Sequence, residues 1–291
     1  MTVSASPALS RTEWTSRAQA HAERADALTA AHRERAARGE KHPVWDFLFT
    51  YYAYKPAVLR RWHPGAGVAL TGAEERAGWR WYSPAAGGVA PDAALFRADK
   101  PQLADLVERM LRRTASRPAQ FGCFGLHEWA MVYRDQEHRH PVPLRLGQAG
   151  TDAVVEANDL RCTHFDAFRF FTGAAAPRNR QVLTRDTQPE LEQPGCLHAG
   201  MDLYKWAVKL GPLVPGELLL DAFELARDIR LLDMQAAPYD LSAWGVLPVL
   251  IEDPEGKAEY VRRQRAFAER GAALRARMLE AWLGAAASDA A

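Results

Sequence analysis

Gly216-Glu-Leu-Leu-Leu-Asp-Ala-Phe-Glu-Leu-Ala-Arg-Asp-Ile-Arg-Leu-Leu-Asp-Met-Gln235 is the segment whose pattern decides the fold class. Its Glu217, Asp221, Glu224 and Asp228 fall at i, i+4, i+7 and i+11, one stripe of an α-helix, while leucine, alanine, phenylalanine and isoleucine fill most of the rest. Pro215 suits a first helical turn. Carboxylates in that register hold metal in some helical bundles. Arg227 and Arg230 beside them point instead to a solvated, salt-bridged face.

Outward from this helix the chain is mostly helical by the same criteria. Thr12 to Gly39 is rich in Ala, Arg and Glu and free of proline, which predicts one long N-terminal helix with His21 and His32 solvated. Trp45, Leu48, Phe49 and Tyr52 share one face of a second helix between Pro43 and Pro56, with Tyr51, Tyr54 and Lys55 placed to edge a pocket. Leu103, Leu106, Val107, Met110 and Leu111 mark a third, and Lys257 to Leu283 a long closing helix. Arg60-Arg61-Trp62-His63-Pro64 reads as a surface turn anchored by Trp62, or as a phosphate or base contact. Residues 72–98 look like an irregular excursion around Trp79, Trp81, Tyr82 and a flexible Gly87-Gly88. Short strands are expected near 68–71, 143–156 and 246–251. The expected fold class is therefore α+β and mainly α-helical, one domain over residues 11–285 with tails at 1–10 and 286–291.

With 37 Lys and Arg against 36 Asp and Glu in 291 residues, the charge balance carries no basic excess of the kind nucleic-acid binding usually shows. Three cysteines, none in a CxxC pair, do not form a disulfide framework and fit a reducing, cytoplasmic setting. No signal peptide and no apolar run of spanning length is evident, so no membrane partner is expected.

Chemistry concentrates around the cysteines. Cys123 stands with His127 and Glu128, Cys162 with His164 and Asp166, Cys196 with His198 and Asp202, and chance seldom puts a nearby histidine beside all three when there are nine in the chain. His127, His164 and His198 with the three carboxylates suit zinc or non-haem iron, and so a metal-dependent oxygenase or hydrolase acting on a small molecule. The same carboxylates, without metal, suit general acid and base work. A third interpretation is a satisfied polar core or a non-enzymatic small-molecule binder. His138 and His140 occupy a polar loop and lack a completing ligand set. Gly173 to Pro194, long and polar, reads as a lid or substrate-facing loop between the two later histidine segments. Arg169, Arg178 and Arg185 are placed to meet phosphates, Tyr204 and Trp206 to stack a ring, and Lys205 to extend the row begun by His198 and Asp202.

Four segments carry a resemblance: His42-Pro-Val-Trp-Asp-Phe-Leu-Phe-Thr-Tyr-Tyr with Arg60-Arg-Trp-His-Pro-Gly; Phe121-Gly-Cys-Phe-Gly-Leu-His-Glu-Trp-Ala-Met-Val-Tyr; and Gln193-Pro-Gly-Cys-Leu-His-Ala-Gly-Met-Asp-Leu-Tyr-Lys-Trp. They resemble, over almost the whole chain, an actinobacterial family labelled 3-methyladenine DNA glycosylase. The resemblance implies hydrolysis of the glycosidic bond of an alkylated purine in DNA without a cofactor; it assigns no catalytic residues, and on the reading of the residues themselves Glu128, Asp166 or Asp202 would activate water and aromatic side chains hold the base. No helix-hairpin-helix pattern followed by a catalytic aspartate is identifiable here.

Overall fold

The computed structural model describes residues 8–135 and 142–288. Strand β1 (Ala8–Leu9) leads into α1 (Arg11–Ala37), followed by the single turns α2 (Phe47–Thr50) and α3 (Pro56–Arg60). Then come β2 (Ala69–Leu70), the hairpin β3 (Tyr82–Ala85) and β4 (Gly88–Pro91), and helices α4 (Ala93–Asp99) and α5 (Pro101–Ala115). Short helices α6 (Leu126–Ala130), α7 (Gly147–Glu156), α8 (Phe165–Phe168) and α9 (Gln188–Leu191) precede three long ones, α10 (Leu197–Leu210), α11 (Gly216–Gln235) and α12 (Pro254–Ser288). The fold is mainly α-helical α+β, as expected. No helix among the described residues is long and apolar enough to cross a membrane.

Helix α11 is the centre because its apolar residues are buried over most of its circumference. Leu220, Ala222, Leu225, Ala226, Ile229 and Leu232 are all inaccessible, and α10 and α12 pack against them to form the main core. Its carboxylate stripe faces outward onto neighbouring helices. Asp221 takes Arg24 and Arg277, Asp228 takes Arg270, and Glu217 accepts from the Trp62 indole, so the stripe is an ion-paired surface seam and belongs to no metal-ligand grouping among the described residues.

The small sheet runs in the order β1-β2-β4-β3, with β1 parallel to β2 and the other pairs antiparallel. Gly88 sits at φ 142°, where a Cβ would lie 2.0 Å from Leu70 O, so only glycine lets β4 approach β2 this closely.

Several sequence expectations change. Ala8 and Leu9 are paired in the sheet rather than frayed, and α1 starts earlier than Thr12 because Ser10 and Glu13 form a reciprocal capping box. The closing helix likewise runs to Ser288, past the expected tail boundary. His21 is buried against Leu59 O at 2.7 Å and His32 meets Asp46 at 2.8 Å, so neither is solvated. The second helix is broken at Ala53, which has φ 56°. The 72–98 excursion is a hairpin followed by α4. Residues 147–156 are helix, not strand: Thr151, Val154 and Val155 are buried at i, i+3 and i+4, a helical spacing that their β-branched character masks. Residues 246–251 bury Val246, Val249 and Ile251 but join no sheet. His138 and His140 lie outside the described residues.

Candidate metal centre

Helices α6, α10 and α11 bring His127, His198 and Asp233 together. Phe124 and Gly125 both adopt positive φ, 49° and 73°, which turns the chain sharply into α6 and sends His127 inward. On α10, Gly200 faces α11 so closely that a Cβ there would lie 2.7 Å from Ile229 Cδ1. That contact sets the helix separation at the level where His198 and Asp233 meet. His127 Nε2 lies 2.7 Å from Asp233 Oδ1, and the His198 ring stands edge-on to His127 with centroids 4.5 Å apart. One potential ligand atom from each of the three falls within 4.8 Å of the others.

A second set adjoins the first. His164, just before α8, offers a nitrogen that lies with Glu192 and Asp202 oxygens inside the same 4.8 Å limit. Its Nδ1 is 2.9 Å from Glu192 Oε1, an ion-pair distance without hydrogen-bond alignment, and it is buried with no aligned partner. Its Nε2 is 3.7 Å from Asp202 Oδ2. Asp202 also accepts from Tyr52 Oη at 2.9 Å and from Lys205. The His164 and His198 rings are stacked 5.2 Å apart, which joins the two sets.

The surrounding charges bias which imidazoles hold protons. Burial disfavours a charged His127, but the neighbouring Asp233 carboxylate outweighs it and raises its pKa well above the usual value. His164 is raised in the same way by Glu192, again against burial. His198 is pushed well below the usual value by burial and by the charge on His127, so it is a neutral imidazole. No hydrogen bond joins either of its ring nitrogens to another described residue, which leaves a lone pair available. Glu128 and Asp233 share one buried cation, Arg230, at 3.1 and 2.9 Å. Burial and the adjacent Asp233 push the Glu128 carboxyl up.

His198 also separates two cavities. One, of about 380 Å³, is lined by His127, all three cysteines, Gln264, Arg161 and Arg180 among others. The second, of about 250 Å³, is walled by Phe47, Tyr51, Met131, Glu128, Asp166 and Arg230. The chain matches no family model, no curated protein and no solved structure. Function therefore rests on this geometry and on the sequence resemblance.

The three cysteine-bearing segments do converge, as their pattern suggested. Cys162 and Cys196 remain thiols, since burial raises both. Asp166 is fixed by Arg185 at 2.9 Å, Arg169 at 3.4 Å and Lys205 at 3.5 Å; burial would raise its pKa, but Lys205 leads the groups that hold it down. Tyr204 is buried against Tyr52, Tyr54 and Phe223, and Trp206 is covered by Lys205 at 4.4 Å, so neither lines these cavities. Arg178 is drawn away to the Val155 and Glu156 carbonyls. The 173–194 segment is anchored by the buried side chains of Asn179, Gln188, Glu192 and Gln193, and its Arg180, Gln181 and Gln193 line the larger cavity. Asp233 and Glu192 complete the centre without having been singled out in the sequence; Arg230, read there as part of a solvated face, is instead 1% exposed and paired with Glu128 and Asp233, and Tyr52, read as core, donates to Asp202. Arg230 and Asp233 had one visible signal: they interrupt the apolar faces of α11 away from its carboxylate stripe.

Proposed function

We propose that the protein is a metal-dependent oxygenase or hydrolase acting on a small molecule, with its ion held by His127, His198 and Asp233. The carrying observation is His198, a neutral, partly exposed imidazole that lines both cavities and makes no hydrogen bond with a described residue, beside a histidine and a carboxylate within ligating reach. Its unused lone pair, open to a cavity on either side, is the kind of donor an ion takes up. Two histidines and one carboxylate suit non-haem iron or zinc. Ligation of His127 would replace its proton, consistent with the coupling of metal affinity to ligand protonation. The adjoining His164, Glu192 and Asp202 offer a place for a second ion.

When bound, such an ion supplies Lewis acidity or an activated water. The protein's own residues do the rest. Arg230 holds Asp233 in place through Oδ2, leaving Oδ1 toward the histidines. Glu128, whose pKa burial and the Asp233 charge raise, is the carboxyl of the smaller cavity suited to proton transfer. Cavities of this size match small ligands.

The glycosylase interpretation draws support from the resemblance and from Glu128. Its other two carboxylates are clamped by Lys205 and arginines or by Tyr52, which leaves them poorly placed to activate water. Incubation with methylated DNA separates the two. Free purine released in the presence of chelator, and lost in Glu128→Gln, would overturn the metal proposal; no release from protein that binds metal supports it.

A further inference from the structure

We infer that the larger cavity takes a small substrate bearing an oxyanion, a carboxylate or phosphate, whose charge is held by Arg161 and Arg180 while the molecule reaches toward His198. This rests on the metal-centre proposal for what happens at the far end. The cavity has two ends of different chemistry. His127 and His198 line it at the centre, and Arg161 and Arg180 line it as well as an adjoining open hollow shared with Arg178, Leu160 and Asp159.

The two arginines are differently prepared. Arg180 is exposed, and its guanidinium makes no hydrogen bond or ion pair with any described residue, so its donors are available. Arg161 uses NH2 on Asp159, at 2.9 Å, and its side chain runs across Gly122, where a Cβ would meet Cδ at 3.5 Å and NH1 at 3.6 Å. Its Nε and NH1 make no hydrogen bond with any described residue, and the side chain lines the cavity. Asp159 is the one acid of the hollow, and it faces three arginines, which leaves the rim cationic. Guanidinium forks match the planar or tetrahedral oxygens of carboxylate and phosphate.

Deeper in, the cavity wall carries an unmet acceptor. Gln264 is 1% exposed and donates Nε2 to Gly195 O at 2.7 Å, while its Oε1 is buried without a partner. An N–H or O–H on the bound molecule would satisfy it. The neighbouring Gln193 is already spent, accepting from the Gln120 and Gly195 amides, so the wall is rigid around that acceptor. A volume of about 380 Å³ suits a ligand of modest size.

Isothermal titration with inorganic phosphate and, separately, acetate tests the inference and distinguishes the two oxyanions. Wild type is expected to show one saturable site for at least one of them, weakened at least tenfold in the Arg161→Ala/Arg180→Ala variant and unchanged in Arg112→Ala, an exposed control on α5 that lines no described cavity. Absence of saturable binding to wild type, or equal binding by the double variant, would overturn it. Metal content is read on the same samples. Metal-loaded protein indifferent to the double substitution refutes the oxyanion site alone, and metal-free protein that binds through these arginines refutes the metal proposal alone.

Discussion

His127 Nε2 and Asp233 Oδ1 lie 2.7 Å apart although 106 residues separate them in the chain, and both side chains are almost wholly shielded from water. Asp233 is therefore a buried charge whose neutralisation depends on His127 and Arg230, or on an ion in the proton's place. Asp233→Asn removes that charge and leaves Arg230 paired only with Glu128. The expected loss is about 3–5 kcal/mol of unfolding free energy, the usual cost of breaking a buried pair from one side. Urea denaturation checks it.

The close crossing of α10 and α11 gives a second expectation. Gly200→Leu forces side-chain atoms against Ile229, whose own side chain lies in the buried core. Overpacking of this kind costs about 1–3 kcal/mol, and it widens the gap that His198 and Asp233 span. Metal affinity is expected to fall with stability. Gly173→Ala, where nothing lies within 4 Å of the added methyl, is the control, expected within about 0.5 kcal/mol of wild type in thermal or urea unfolding.

Asn179 fixes the 173–194 segment by accepting from Cys162 N at 2.8 Å and donating to the Cys162 and Gln181 carbonyls. Asn179→Ala strands these buried groups, at a cost of about 1–3 kcal/mol. Limited proteolysis is expected to cut faster near the exposed Val182, with unchanged cleavage arguing against an anchoring role.

How much of this was legible beforehand differs by level. Helix α11 and the helices around it announce themselves through 3.6-residue periodicity, and the three cysteine-bearing segments through residue type alone. Residues 147–156 misled because Val154 and Val155 favour strands locally, while tertiary packing of Thr151, Val154 and Val155 selects a helix. Glu192 and Asp233 escaped notice because nothing local separates a buried carboxylate from a solvated one; only the packing of α10 against α11 and the fold of the 173–194 segment make them neighbours of histidines. Tyr204 and Trp206, two aromatics beside polar residues, suggested a stacking platform, yet α10 turns both into the core.

His63 supplies a pH dependence away from the centre. It is largely buried beside Tyr82 Oη at 2.9 Å, and burial followed by the charges on Arg76 and Arg61 lowers its pKa to about 3. Its folded value lies below the ordinary value near 6.5, so between those limits the unfolded chain binds a proton that the folded chain does not. Stability contributed by this site is therefore full above about pH 6.5 and declines as pH falls toward 3, by at most about 1.4 kcal/mol per pH unit and less where water reaches the ring. Denaturation of His63→Asn across that range is expected to show a shallower decline than wild type.

Metal content tests the central claim most directly. Elemental analysis of protein reconstituted with iron, zinc or manganese and then desalted is expected to find about one ion per chain in wild type and less than about a tenth of that in folded His198→Ala, because loss of one ligand sharply weakens a three-residue set. Wild-type protein that retains no ion, or a His198→Ala variant that retains as much as wild type, would contradict it.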